Sequence, residues 1–75
     1  MPKMPQLSGK ELIKILAQFG FGAIRQKGSH VILKKKTKDG EIGTVVPLHK
    51  VIAEGTLRGI LKQAKIETDE FLSAI

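Results

Sequence analysis

Apolar residues along this chain follow two spacings, and each predicts an element. Leu12, Leu16 and Phe19 fall three or four apart, with Ile13 and Ile15 widening the stripe, which is helical periodicity. Ser8 and Glu11 stand at capping-box spacing, and Leu7 and Leu12 can close a hydrophobic staple over that cap. Gly20 is a natural C-terminal stop, so a helix is predicted over residues 9–19. Beyond Phe21-Gly22 the pattern predicts three short strands, at 23–27, 30–36 and 41–46, the last stopped by Pro47. Gly28-Ser29 signals a tight turn, and Thr37-Lys38-Asp39-Gly40 contains the hairpin dipeptide Asp-Gly. Connections this short make only antiparallel pairs.

Helical spacing returns after a loop over 48–53. Leu57, Ile60, Leu61 and Ala64 form the buried stripe of a second helix that starts near Glu54, with Arg58, Lys62 and Lys65 off the stripe. Thr68 then reads as the cap of a last short helix, with Asp69 and Glu70 in its favourable first turn. Phe71, Leu72 and Ile75 are expected to dock that helix on the core. The order is α-β-β-β-α plus a short C-terminal helix. Two helices can cover one face of a three-stranded antiparallel sheet, giving an α+β two-layer sandwich whose other face is open. Residues 1–75 are one small domain, too small for a deep enclosed cavity, so a substrate is expected to lie across a surface.

Charge sharpens the picture. Thirteen Lys and Arg stand against seven Asp and Glu, a net charge of +6. Between Pro2 and Lys38 the acid Glu11 faces nine basic residues, while Glu54, Glu67, Asp69 and Glu70 lie late in the chain. Such asymmetry points to an anionic partner, although small soluble domains also carry excess charge. The chain has no cysteine, which excludes disulfides and thiolate-bound metals. No apolar run reaches the roughly 18–20 residues of a membrane span. Met1-Pro2-Lys3-Met4-Pro5 has no apolar segment of a secretory signal. A cytoplasmic protein without a membrane partner is expected.

Candidate chemistry gathers at Gly28-Ser29-His30 and the strand that follows. Alternation puts His30, Ile32, Lys34 and Lys36 on one face and Val31, Leu33 and Lys35 on the other, with alternate side chains about 7 Å apart. Histidine moves protons near neutral pH, and lysines neutralise phosphates. RNA supplies a reaction that needs little more, because its 2′-hydroxyl can attack the adjacent phosphate without a metal or cofactor. His30 would be the base, and Lys27, Lys34 or Lys36 would steady the phosphate. Gly28 allows close backbone approach, and Ser29 binds either a phosphate oxygen or its own turn. An ordinary turn before a basic edge strand has the same pattern, since lysines also protect sheet edges. Ile32 reads either as core or as an apolar contact for a protein partner. His49 reads as a second acid/base, a phosphate contact or a structural loop residue. Two histidines without a third ligand do not make a metal site.

A longer pattern runs through Ser8-Gly9-Lys10-Glu11-Leu12, Phe19-Gly20-Phe21, Gly28-Ser29-His30, Val46-Pro47-Leu48-His49, residues 55–64 (GTLRGILKQA) and Phe71-Leu72. In this order and at this length the chain resembles the HicA toxins, the mRNA interferases of HicA–HicB toxin–antitoxin modules. The resemblance implies a fold similar to a double-stranded-RNA-binding domain and a ribosome-independent endoribonuclease acting on mRNA. It places the family's catalytic histidine on His30 and implies a HicB-like antitoxin that covers the active surface. It assigns no particular lysine. Glu54 stands where family members often have proline, and it remains acceptable as an acid in the first turn of a helix. Two other classes stay open on the residues: a non-catalytic RNA-binding module that uses Lys27, Lys34 and Lys36, and a protein-interaction module built around Ile32. Sequence-specific DNA binding is disfavoured, because neither main helix is basic along one face.

Overall fold

The structure, a computed structural model, describes residues 4–75; residues 1–3, part of the segment read above as lacking a secretory signal, lie outside it. Its elements are α1 (Gly9–Gln18), β1 (Gly22–Lys27), β2 (His30–Thr37), β3 (Gly40–Pro47), α2 (Glu54–Ala64) and α3 (Thr68–Ser73). The strands form one antiparallel sheet in the order β1-β2-β3. The predicted α+β order is therefore present, and each predicted strand boundary falls within one residue of the observed one.

The capping box that starts α1 is complete. The Glu11 backbone N–H donates to Ser8 Oγ at 3.1 Å, and the Ser8 N–H donates to Glu11 Oε1 at 2.9 Å. The Ser8 N–H is the main reason that the Glu11 carboxyl titrates below its ordinary value. Leu12, Ile15 and Leu16 turn inward. They join Val31, Leu33 and Val46 from the sheet, Leu57, Ile60, Leu61 and Ala64 from α2, and Phe71 from α3 in one core. Burying a side chain of this size is worth about 1.5–3 kcal/mol, and the core closes on the helix side of the sheet only.

Three local expectations are corrected. Glu67, not Thr68, is the N-cap of α3, and its N–H donates to Glu70 Oε1 at 3.2 Å. Glu70 sits three residues beyond Glu67 and can reach back to it, which moves the cap one residue earlier. Phe71 is fully buried and Leu72 partly buried, but Ile75 is 58% exposed and does not dock. In the second hairpin, Thr37 pairs with Gly40, so Lys38 and Asp39 form the connection. Gly40 opens β3 at φ +138°, a backbone region that L residues rarely adopt.

α2 packs mainly on β3, and α1 reaches β3 and β1. β1 forms the far edge and is exposed along its whole length. A bulge between Ala23 and Arg25 leaves Ile24 out of the ladder and 57% exposed. Such a kink on an edge strand hinders pairing with other chains. Among the described residues no helix is long and apolar enough to cross a membrane.

Candidate active site

The register of the sheet sets the open face row by row, because residues directly opposite in antiparallel strands share a face. Lys27, His30 and Pro47 form the first row. Arg25, Ile32 and Val45 form the second; Gly22, Lys34 and Gly43 the third; Lys36 and Glu41 the last. Four cations and one histidine thus share this face with a single acid. Val31 and Leu33 are buried on the opposite face, as alternation predicts, and Lys35 lies there with its ammonium 5.9 Å from the centre of the Phe21 ring.

His30 owes its position to the turn before it. Gly28 has φ +60° while Ser29 is not in the positive-φ region, and Lys27 pairs with His30. Glycine at the first central position is what a two-residue type II′ connection requires. The Gln26 side-chain amide donates to the Gly28 carbonyl at 3.1 Å and braces the turn. On the other side, the Leu48 N–H donates to the Ser29 carbonyl at 2.7 Å. His30 and Pro47 are therefore a non-hydrogen-bonded pair, where side chains approach closest. The missing N–H of Pro47 costs the ladder nothing at that position.

The cations are not equivalent. Lys27 stands directly opposite His30, about 5 Å away at the Cβ level, and Arg25 is the diagonal neighbour at roughly 7–8 Å. Lys34 lies four residues along β2, about 13 Å from His30, and Lys36 about 20 Å. Lys34 is also paired with Glu41, with Nζ 3.7 Å from Oε1. Lys27 and Arg25 thus share the neighbourhood of the imidazole, while Lys34 and Lys36 extend the basic face away from it. Arg25 is not among the residues the sequence pattern singles out. Counting back from the turn would find it, since Lys27 opposite His30 puts Arg25 opposite Ile32.

His49 is exposed two residues beyond Pro47, at the same end of the sheet as His30. Its carbonyl accepts the Gly9 N–H at 2.9 Å, which ties the start of α1 to this end. A Cβ on Gly9 would run into the Pro47 carbonyl oxygen, so only glycine allows the helix start to come this close. Among the described residues no group of three or more His, Asp or Glu is placed to hold a metal ion.

Two depressions flank α2. One, of about 330 Å³, is lined by His30, Val45, Pro47, Thr56, Gly59, Ile60 and Gln63. The other, of about 450 Å³, lies between α2 and α3 beside Arg58, Lys62 and Lys65 and shares no residue with the first. The larger one is away from the imidazole, so the smaller is the one that matters to chemistry at His30.

Residues 9–66 match the family described as HicA toxin of bacterial toxin-antitoxin. The chain belongs to the HicA toxin family. The match runs from the first residue of α1 past the end of α2 and includes the whole sheet with its His30 row. As a HicA toxin, the protein is the toxin of a toxin–antitoxin system, and a cognate antitoxin is its partner. No curated protein and no solved structure matches the chain.

Proposed function

We propose that this HicA toxin is an endoribonuclease that cuts mRNA without metal or cofactor. His30 is its general acid/base, and Lys27, Ser29, Arg25, Lys34 and Lys36 hold the RNA. The observation that carries the reading is the row Lys27–His30–Pro47, an exposed imidazole with an ammonium group directly across from it.

The imidazole takes the proton from a ribose 2′-hydroxyl. The 2′-oxygen attacks the adjacent phosphorus, and the bond from phosphorus to the 5′-oxygen breaks. The imidazolium returns the proton, through water, to the departing 5′-oxygen. A 2′,3′-cyclic phosphate and a 5′-hydroxyl result. The Lys27 ammonium offsets the charge that grows on the phosphate oxygens, where a positioned cation acts most strongly. Ser29 and the backbone of the turn contact the same phosphate. Lys34 and Lys36 hold phosphates further along the strand. A general base of this kind contributes typically 10²–10⁴-fold.

A HicB-like antitoxin is proposed to silence the site by lying on the open face. Ile32 and Val45 give that face an apolar centre ringed by cations, which suits a partner with acidic groups around an apolar contact. Action on mRNA puts the protein in the cytoplasm.

Purified wild type and His30→Ala incubated with RNA in EDTA test the catalytic reading. Cutting by wild type alone, with cyclic-phosphate ends, supports it. Salt-sensitive binding without products would make the protein a non-catalytic RNA-binding module instead. RNA left intact by both proteins rejects the enzyme.

A further inference from the structure

We propose that the depression between β3 and α2 is a nucleobase site, and that Gln63 reads a carbonyl oxygen of the base it holds. This deepens the catalytic reading of His30, on which it rests for the placement of the nucleotide next to the bond that is cut.

The walls suit a flat heterocycle. Val45, 42% exposed, and Pro47 form one side, Ile60 lies on α2, and the His30 ring stands at the rim. Single-stranded RNA is recognised by splaying out bases, stacking them on side chains and bonding their polar edges. The volume of about 330 Å³ is at the small end of the roughly 300–1,000 Å³ of ligand pockets.

Part of the lining is an exposed glycine that packing does not require. Gly59 lies in the interior of α2, where glycine is a poor helix former. A Cβ placed there would meet nothing within 4 Å. Alanine would therefore fit the fold and strengthen the helix. Having no side chain, Gly59 leaves its stretch of the lining beside His30 bare.

The polar edge is oriented by a part-buried bond. Thr44 is 3% exposed on the covered face of β3, and among the described residues it is the buried polar one. Its Oγ1 donates to Gln63 Oε1 at 3.0 Å. With its oxygen held by Thr44, the Gln63 amide presents its two N–H donors at the depression, where among the described residues they have no partner. Amide donors need acceptors. Uracil, cytosine and guanine offer carbonyl oxygens at their edges; adenine offers ring nitrogens beside an amino group that Gln63, its oxygen held by Thr44, leaves unmatched. Thr56 adds a hydroxyl to the same lining. Thr56, Gly59, Ile60 and Gln63 fall three, four and seven residues along one helix face, so α2 supplies one continuous side of the site.

The full chain, isotopically labelled, can be titrated by NMR with the four nucleoside 3′-monophosphates and with ribose 5-phosphate, which has no base. Uridine, cytidine and guanosine monophosphates are expected to shift the Gln63 side-chain amide and the Gly59 N–H, with adenosine monophosphate weaker. Ribose 5-phosphate should disturb only the surroundings of Lys27 and His30. Gly59→Leu, which adds a bulky side chain to the lining, should weaken the preferred nucleotides roughly tenfold, the scale of losing one stacked base, and leave the ribose 5-phosphate shifts in place. Gln63→Ala, at an exposed helix position that alanine favours, should erase the ranking among bases.

Shifts at Gln63 and Gly59 that are equal for all four nucleotides and for ribose 5-phosphate overturn the proposal, as does a ranking led by adenosine. The two readings also fail separately. Base-dependent shifts in a protein that leaves RNA intact keep the nucleobase site and reject catalysis. Cutting without base preference beside the cut, unchanged in Gly59→Leu, keeps catalysis and rejects the site.

Discussion

Lys27 and His30 face each other across the two-residue Gly28-Ser29 turn, on the open face of the sheet. The turn fixes this pair at the end of the hairpin, so the ammonium is the nearest cation to the imidazole by strand register. Lys27→Ala is therefore expected to slow RNA cutting by roughly 10²-fold, the usual cost of losing one positioned donor. Lys36→Ala, at the far end of β2, should lower binding and its salt dependence with a much smaller effect on the cutting step. Single-turnover rates at saturating protein separate the two. Equal losses in both variants would mean that the cations act as a general field rather than by position.

His30→Ala should remove cutting by about 10²–10⁴-fold and leave the fold intact. The imidazole is exposed, and among the described residues no side-chain hydrogen bond involves it. Substitutions at such positions change stability by about 0.5 kcal/mol or less. Thermal unfolding of the variant next to wild type checks this, and a large drop in the melting temperature would assign the histidine a structural role.

Gly9→Ala reverses the usual expectation for a helix. Alanine is the better helix former, yet its Cβ would strike the Pro47 carbonyl. Relieving such a clash costs typically about 1–3 kcal/mol. Because Pro47 pairs with His30, the shift should reach the site as well. Denaturant unfolding and cutting rate should fall together in this variant, whereas a stabilised protein would show that the helix start is free to move.

Glu11 gives a pH dependence with a definite sign. Its carboxyl lies below the ordinary value, here 4.5, chiefly because the Ser8 backbone N–H donates to the charged form and the Ser8 hydroxyl adds to it. A depressed acid contributes stability that is fully present above its unfolded value and is lost as the pH falls through its folded value. Stability should therefore decline on acidification below about 4.5, and Glu11→Gln should flatten that decline. Ser8→Ala removes the hydroxyl but keeps the backbone N–H, so the Glu11 titration, followed by carboxyl NMR shifts, should rise only part of the way and stay below the ordinary value. The substitution should also cost about 1 kcal/mol as a lost helix cap.

Thr44→Val keeps the shape of the side chain and deletes the hydroxyl that holds Gln63. A bond of this kind is worth about 1 kcal/mol. A melting temperature lowered by a few degrees, together with a more mobile Gln63 amide in NMR relaxation, is the expected result.

The backbone of this fold is legible in the chain because its signals are local. The Ser8–Glu11 box, the Gly28-Ser29 turn and the Leu57–Ile60–Leu61–Ala64 stripe each lie within a few residues, and each forms where the spacing puts it. Alternation likewise sorted His30 from Val31 and Leu33. What the pattern did not reveal depends on contacts between distant segments. The place of Arg25 needed the ladder register, and that of Ile24 needed the bulge. Lys34 looked as available as Lys27 until Glu41 came beside it across the hairpin. Gly9 reads as an ordinary residue in a helix start, since nothing nearby announces the Pro47 carbonyl. Gln63 and Thr44 are nineteen residues apart, and only the docking of α2 on β3 brings them together. At α3 the competing signals were adjacent, and Glu67 took the cap because Glu70 could reach back to it.

The docking of α2 on β3 has a consequence for how the protein is made. His30, Lys27 and the turn between them are synthesised early, but Pro47, the neighbour of the imidazole, comes later. Gln63, on the far wall of the depression, comes later still. A nascent chain that stops short of α2 carries the histidine without the surface around it. The order of translation therefore delays assembly of the complete site until most of the chain exists, which leaves an interval for a partner to be present before the toxin's surface is finished.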